Sequence, residues 1–136
     1  MRKLAIDLGT VTCGLAISDP LNMFAIGLDV LRYQECDFNY LLEEISRYVV
    51  EYNVDTIILG YPLRMTNTKS DTTIYVENFY ELLKLKFDLK IILEDERETT
   101  KEALSILKKG NLARKKQKKY KDSLAAQIIL ERYLGV

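Results

Sequence analysis

Histidine is absent from this 136-residue chain. Without an imidazole no Ser–His or Cys–His pair can form, so hydrolysis through either kind of activated nucleophile is excluded. Cysteine is scarce. Cys13 and Cys36 are the only two, they lack metal-type spacing, and both are expected to be small buried hydrophobes in a reducing cytoplasm. No apolar run approaches the roughly 20 residues that span a bilayer, so no membrane association is expected. Met1-Arg2-Lys3 carries positive charge, but the run behind it breaks at Asp7 and offers no small-residue cleavage site. The sequence therefore reads as lacking a signal peptide and as cytoplasmic. Linkers, repeats and low-complexity segments are missing too.

Net charge is zero, with 20 basic and 20 acidic residues, and the sum hides an asymmetry. Residues 1–100 hold 10 Lys/Arg against 17 Asp/Glu, a net of −7, while residues 101–136 hold 10 against 3, a net of +7. Within the second stretch Lys108, Lys109, Arg114, Lys115, Lys116, Lys118, Lys119 and Lys121 crowd into fourteen positions. Such a block has two readings, a site for a polyanionic partner or a solvated lysine-rich loop, and charge alone does not choose between them. With 48% apolar and 29% charged residues, the composition is that of a soluble globular domain with a real core.

Two periodicities alternate along the chain. Lys3–Leu8 and Cys13–Ser18 are apolar runs separated by a Gly-Thr turn, a hairpin signal. A third strand is expected around 25–32, after Asp19-Pro20. Apolar residues recur at helical spacing over 37–52, and Thr56–Leu59 reads as a buried strand. A helix with Val76, Phe79, Tyr80, Leu82 and Leu83 on its inner face comes next, then a short strand at Lys90–Leu93. Thr99-Thr100-Lys101-Glu102 resembles a helix start, continued by Ala103 to Leu107. After a basic loop, Asp122 is expected to open a last helix. The order βββαβαβαα implies an α/β fold with a mixed sheet, antiparallel at one edge and covered by helices.

Acidic residues punctuate this pattern at three places. Asp7 interrupts the first apolar strand, where a carboxylate is costly to desolvate without a compensating cation. Gly9 and Thr10 after it permit a tight turn whose backbone can approach a ligand. Glu94-Asp95-Glu96 closes a later strand, and Asp122 follows the basic block. In open sheets the ligand crevice lies at the carboxyl ends of the parallel strands, where Asp7, Gly60 and Glu94–Glu96 fall. Carboxylates gathered there would repel one another unless a cation sat among them. Hard divalent ions, Mg²⁺ or Mn²⁺, suit oxygen ligands and retain waters and substrate phosphates. Strand alternation puts Asp95 on one face and Glu94 and Glu96 on the other. Arg97 has two readings open to it, an internal salt bridge or a phosphate contact. Asp122 likewise is either a helix cap or a ligand, and Ala125-Ala126 beyond it would let its helix approach the sheet closely.

Four motifs in order carry a family resemblance. They are Asp7-Leu8-Gly9-Thr10 with Gly14-Leu15-Ala16-Ile17-Ser18-Asp19; Gly60-Tyr61-Pro62-Leu63; Asp95-Glu96-Arg97 with Thr99-Thr100; and Lys118 to Ala126. Together they resemble the YqgF family, also called RuvX-like resolvases or pre-16S ribosomal RNA nucleases, in the ribonuclease H-like superfamily. The resemblance spans essentially the whole chain. It implies one ribonuclease H-like domain over residues 1–136, with a five-stranded mixed sheet in a three-layer fold. It also implies that Asp7, Glu96 and Asp122 are catalytic metal ligands, with Asp95 second candidate for the middle position. The implied cofactor is Mg²⁺ or Mn²⁺. The implied activity is trimming the 5′ end of precursor 16S ribosomal RNA; the alternatives are a resolvase of four-way DNA and a non-catalytic nucleic-acid-binding module. The implied state is a monomer or homodimer. Arg64, Arg97, Arg114, Lys115, Lys116, Lys118, Lys119 and Lys121 are the expected nucleic-acid contacts. Two departures stand out: Val11-Thr12-Cys13 replaces a segment that is often basic, and Arg64 to Ser70 lacks the usual glycine, with Arg64 and Lys69 positioned to restore charge.

Overall fold

Short apolar runs of strand length alternate here with longer runs of helical period, and each becomes an element. The computed structural model describes residues 1–61, 71–95 and 114–135, with side chains for all of these except Asp71 and residues 114–122. Its elements are β1 (Arg2–Leu8), β2 (Thr12–Ser18), β3 (Ala25–Arg32), α1 (Phe38–Glu51), β4 (Val54–Tyr61), α2 (Asp71–Lys86), β5 (Lys90–Asp95) and α3 (Arg114–Leu134). The strands form one five-stranded sheet in the order β3-β2-β1-β4-β5. The β1–β2 and β2–β3 pairs are antiparallel, as short hairpin connections require. The β1–β4 and β4–β5 pairs are parallel, and α1 and α2 supply the crossovers that parallel neighbours need. The meander followed by parallel units is the arrangement expected from the sequence. β1, which carries Asp7, is the central strand.

Strand alternation divides the core between the two faces of the sheet. On one face Leu4, Ile6, Leu15, Ile17, Ile57 and Leu59 pack with Leu41 and Ile45 of α1 and Val76, Phe79 and Leu83 of α2. On the other, the smaller side chains Ala5 and Ala16, with Ile58, meet Ala126, Ile129 and Leu130 of α3. Small residues on both partners bring α3 close to the sheet, as Ala125-Ala126 predicts. At Gly27 of β3 an added Cβ would lie only 2.4 Å from Gln127 Nε2 and 3.2 Å from Ser123 Oγ.

Three expectations are revised. α3 starts at Arg114, so Arg114 to Lys121 is helical rather than part of a basic loop. Lys, Arg and Gln are strong helix formers, and no glycine or proline occurs between Gly110 and Gly135 to stop the helix. β5 runs through Asp95, two residues beyond Leu93, because Glu94 and Asp95 still pair with Gly60 and Tyr61. Cys36 is exposed rather than buried; it lies in the β3–α1 connection with φ +67°, where the chain turns over the surface. Cys13 is buried as expected. The helix expected over 99–107 lies outside the described residues. None of the described helices is long and apolar enough to cross a membrane.

Two surface carboxylates stabilise the end of the sheet away from Asp7. The Asp19 carboxylate accepts backbone N–H bonds from Met23 (2.6 Å), Phe24 (2.7 Å) and Leu21 (3.2 Å), closing the β2–β3 turn. Those donors, Phe24 foremost, hold its pKa below the ordinary carboxylate value. Asp55 lies 2.7 Å from Lys3 Nζ, whose hydrogen bond lowers its pKa as well. Both groups ionise more readily folded than unfolded. Their stabilisation is therefore complete above the unfolded value of about 3.9 and is lost as pH falls through the lower folded values. Thermal unfolding measured from pH 7 to pH 2 is expected to show Tm dropping below about pH 4, with a shallower drop in the Asp19→Asn/Asp55→Asn variant. Superimposable acid limbs for the two proteins would refute this.

Candidate active site

Asp7 is the penultimate residue of the central strand, at its carboxyl end. Its partner on β2 is Gly14. On the other side Ile6 pairs with Leu59, which sets Gly60 beside Asp7, and Gly60 in turn pairs with Glu94. The row across the sheet therefore reads Gly14, Asp7, Gly60, Glu94. Flanking glycines carry no side chain, so there is lateral room around a half-buried carboxylate where a larger residue would crowd it. Asp7 alternates with Ile6 and so shares the Ala5 face, the one covered by α3. Glu94 alternates with Leu93, a residue of the α1/α2 face, and shares the face of Asp7. Asp95 falls on the opposite face. The pleat thus disfavours Asp95 as the middle ligand. Asp95 also takes part in the architecture through its carbonyl, which accepts from Arg132 Nη1 at 3.0 Å.

Asp122 sits more than two turns inside α3, so it cannot be the cap of that helix. It stands four residues before Ala126 and seven before Ile129, the spacing of a single helical stripe. Both of those residues pack on Ala5 and Ala16. The helix that carries Asp122 therefore lies on the same face as Asp7 and Glu94. Glu96, Arg64 and Arg97 lie outside the described residues, as do the side chains of Asp122 and of Arg114, Lys115, Lys116, Lys118, Lys119 and Lys121. Among the described residues no three His, Cys, Asp or Glu side chains gather into a metal-holding group.

The turn after Asp7 is tightly built. Gly9 N–H donates to the Thr12 carbonyl at 2.8 Å, and Tyr33 N–H donates to the Val11 carbonyl at 3.1 Å. A Cβ on residue 9 would lie 3.0 Å from the Thr12 carbonyl oxygen, so glycine is needed there for the close approach. The Tyr33 hydroxyl donates to the Gly9 carbonyl, and the Tyr33 and Tyr75 hydroxyls are 2.7 Å apart. These two tyrosines escaped the sequence reading, because nothing in the spacing of nine tyrosines marks which pair will meet. Under the turn Cys13 pairs with Leu8. Burial, and then the Asp7 charge, push its thiol well above the ordinary value, so it stays a protonated apolar filler. The Val11-Thr12-Cys13 segment thus presents an exposed Val11 and a buried Cys13.

A family model described as RuvX, Holliday junction resolvase, matches residues 1–135. The chain belongs to the RuvX family. It is 48% identical over 136 residues to the "Putative pre-16S rRNA nuclease" of Mycoplasmopsis pulmonis, covering 99% of this chain and 93% of that one. A protein of the same name from Ureaplasma parvum serovar 3 is 46% identical over 142 residues, covering 99% of this chain and 97% of its own. Among solved structures, Thermus thermophilus RuvC in complex with Holliday junction substrate superposes with a TM-score of 0.62 at 12% identity, covering 100% of this chain and 97% of that one. That likeness shows the fold, which is ribonuclease H-like. The RuvX assignment agrees with the resemblance carried by the four motifs.

Proposed function

We propose that this RuvX protein is a divalent-metal-dependent nuclease that hydrolyses phosphodiester bonds in structured RNA, with the 5′ end of precursor 16S ribosomal RNA as its substrate. The observation carrying this reading is Asp7 at the end of the central strand, between two glycines and on one face with Glu94 and the Asp122 helix. The full-length likeness to two proteins named for precursor ribosomal RNA favours RNA over branched DNA.

The residues present suit a hard cation. The donors are carboxylate oxygens, the sequence has no imidazole to compete, and the glycine row leaves room above the strand. Asp7, Glu96 and Asp122 would hold Mg²⁺ or Mn²⁺. The chemistry such an ion supplies when bound is Lewis acidity at the scissile phosphate and a water made nucleophilic at neutral pH. Asp7, rigidly placed by its turn, would hold the cation at a fixed place relative to the sheet. The acids on the neighbouring elements share the charge, which no single half-buried carboxylate would carry comfortably. Arg114 to Lys121, presented on two successive turns of α3 directly before Asp122, hold the phosphate backbone nearby, with Arg64, Lys69 and Arg97 as further contacts.

The test is cleavage by the purified chain of a precursor 16S transcript, a four-way DNA junction and an unstructured RNA, each with Mg²⁺, Mn²⁺ or EDTA. Precursor cleavage with either metal and none in EDTA is the expected result. Faster cutting of the junction would move the substrate to branched DNA. Binding that survives EDTA, with no cut under any metal, would leave a non-catalytic module.

A further inference from the structure

Proton counting fixes the direction of the hydrogen bonds behind the Asp7 turn. A phenol has one proton to donate, and Tyr33 gives its own to the Gly9 carbonyl. The Tyr33 oxygen must therefore accept from the Tyr75 hydroxyl, 2.7 Å away. The Tyr75 oxygen in turn accepts from the Cys36 N–H at 3.1 Å. The chain of donors runs one way, from Cys36 N–H through Tyr75 and Tyr33 to the carbonyl two residues past Asp7. Each hydroxyl donates once and accepts once, and neither can be reversed without orphaning the Gly9 carbonyl. Burial and the Tyr75 hydroxyl raise the pKa of Tyr33, so it remains a neutral donor. The rings are clamped: Tyr33 is only 8% exposed, and the Tyr75 ring packs against Phe38 with centroids 4.9 Å apart.

We propose that Tyr33 is a positioning residue for the Asp7 turn and that Tyr75 acts through it, so that two hydroxyls tie the proposed metal-holding strand to α2. Tyr75 lies in the second turn of α2. The link rests on the nuclease reading above only for its consequence in catalysis. The fixing of the turn stands apart from it.

Tyr33→Phe, Tyr75→Phe and the double variant test this, because phenylalanine keeps the packing and removes only the hydroxyl. Four quantities are read: Tm, kcat and KM on the precursor transcript, the Mn²⁺ binding isotherm of the protein without nucleic acid, and hydrogen exchange at the Gly9 and Tyr33 amides, which close the turn. Tyr33→Phe is expected to lower kcat roughly tenfold with KM unchanged, the scale of a displaced catalytic group. It should also weaken Mn²⁺ binding several-fold and speed exchange at both amides. Tyr75→Phe should show the same pattern more weakly. The double variant should be no worse than Tyr33→Phe, since the outer hydroxyl works only through the inner one. Unchanged exchange at Gly9 and Tyr33 in Tyr33→Phe would overturn the proposal, as would additive losses in the double variant. If the unmodified protein binds no Mn²⁺, the nuclease reading fails, and the exchange rates alone decide whether the tyrosines hold the turn.

Discussion

Asp7→Asn is expected to abolish cleavage, lowering the rate at least about 1,000-fold while leaving the fold intact. The reasoning is one of charge rather than shape. Asparagine has the size of aspartate and fits the same space between Gly14 and Gly60. It replaces an anionic oxygen with a neutral one at the position proposed to hold a divalent cation. A loss of about 4 kcal/mol in transition-state stabilisation corresponds to this factor, since about 1.4 kcal/mol is tenfold. Stability should not suffer. Asp7 shares a face with Glu94, so neutralising it removes like-charge repulsion as well as attraction. The measurements are initial rates at saturating Mg²⁺ and Tm by circular dichroism. A variant within tenfold of the unmodified protein would end the nuclease reading.

The second large effect concerns α3. Replacing Lys115, Lys118 and Lys119 together by Gln is expected to weaken nucleic-acid binding about 100-fold near physiological salt, with kcat changed far less. Each phosphate contact contributes about 0.7–0.9 to the slope of log affinity against log salt, so three contacts are worth roughly two powers of ten at 0.15 M. The slope itself should become shallower by about 2. Gln keeps a strong helix former at each position, so the helix is retained. Fluorescence anisotropy across a salt series, alongside the unmodified protein, measures both quantities. Identical slopes would place the polyanion elsewhere on the molecule.

Much of this was legible in the chain because the signals were local. Short apolar runs at Lys3–Leu8 and Cys13–Ser18, with Gly9-Thr10 between, read as a hairpin, and the structure has one. Helical spacing from Phe38 to Tyr52 and the β-branched run at Thr56–Leu59 likewise become α1 and β4. Where reading failed, the competing effect was also local but stronger. Asp122 resembles a helix start, yet the lysines before it favour helix just as well, and nothing there breaks one. Cys36 was read by its usual preference for burial, while its place in a connecting turn decided otherwise.

Composition and order were enough to exclude imidazole chemistry, to separate an acidic body from a basic tail, and to mark Asp7 as a costly residue in an apolar strand. They also sufficed for the family, because its motifs are short and contiguous in the sequence. What needed the folded chain was which side of the sheet each acid occupies, and what stands behind the turn after Asp7. Alternation tells two faces apart but cannot say which is which until register is set by pairing: Ile6 with Leu59 and Gly60 with Glu94 put Glu94, not Asp95, beside Asp7. Tyr33, just after β3, and Tyr75, in α2, are 42 residues apart and meet only in the folded chain. Contacts at that separation arise from packing, and no periodicity in the sequence encodes them.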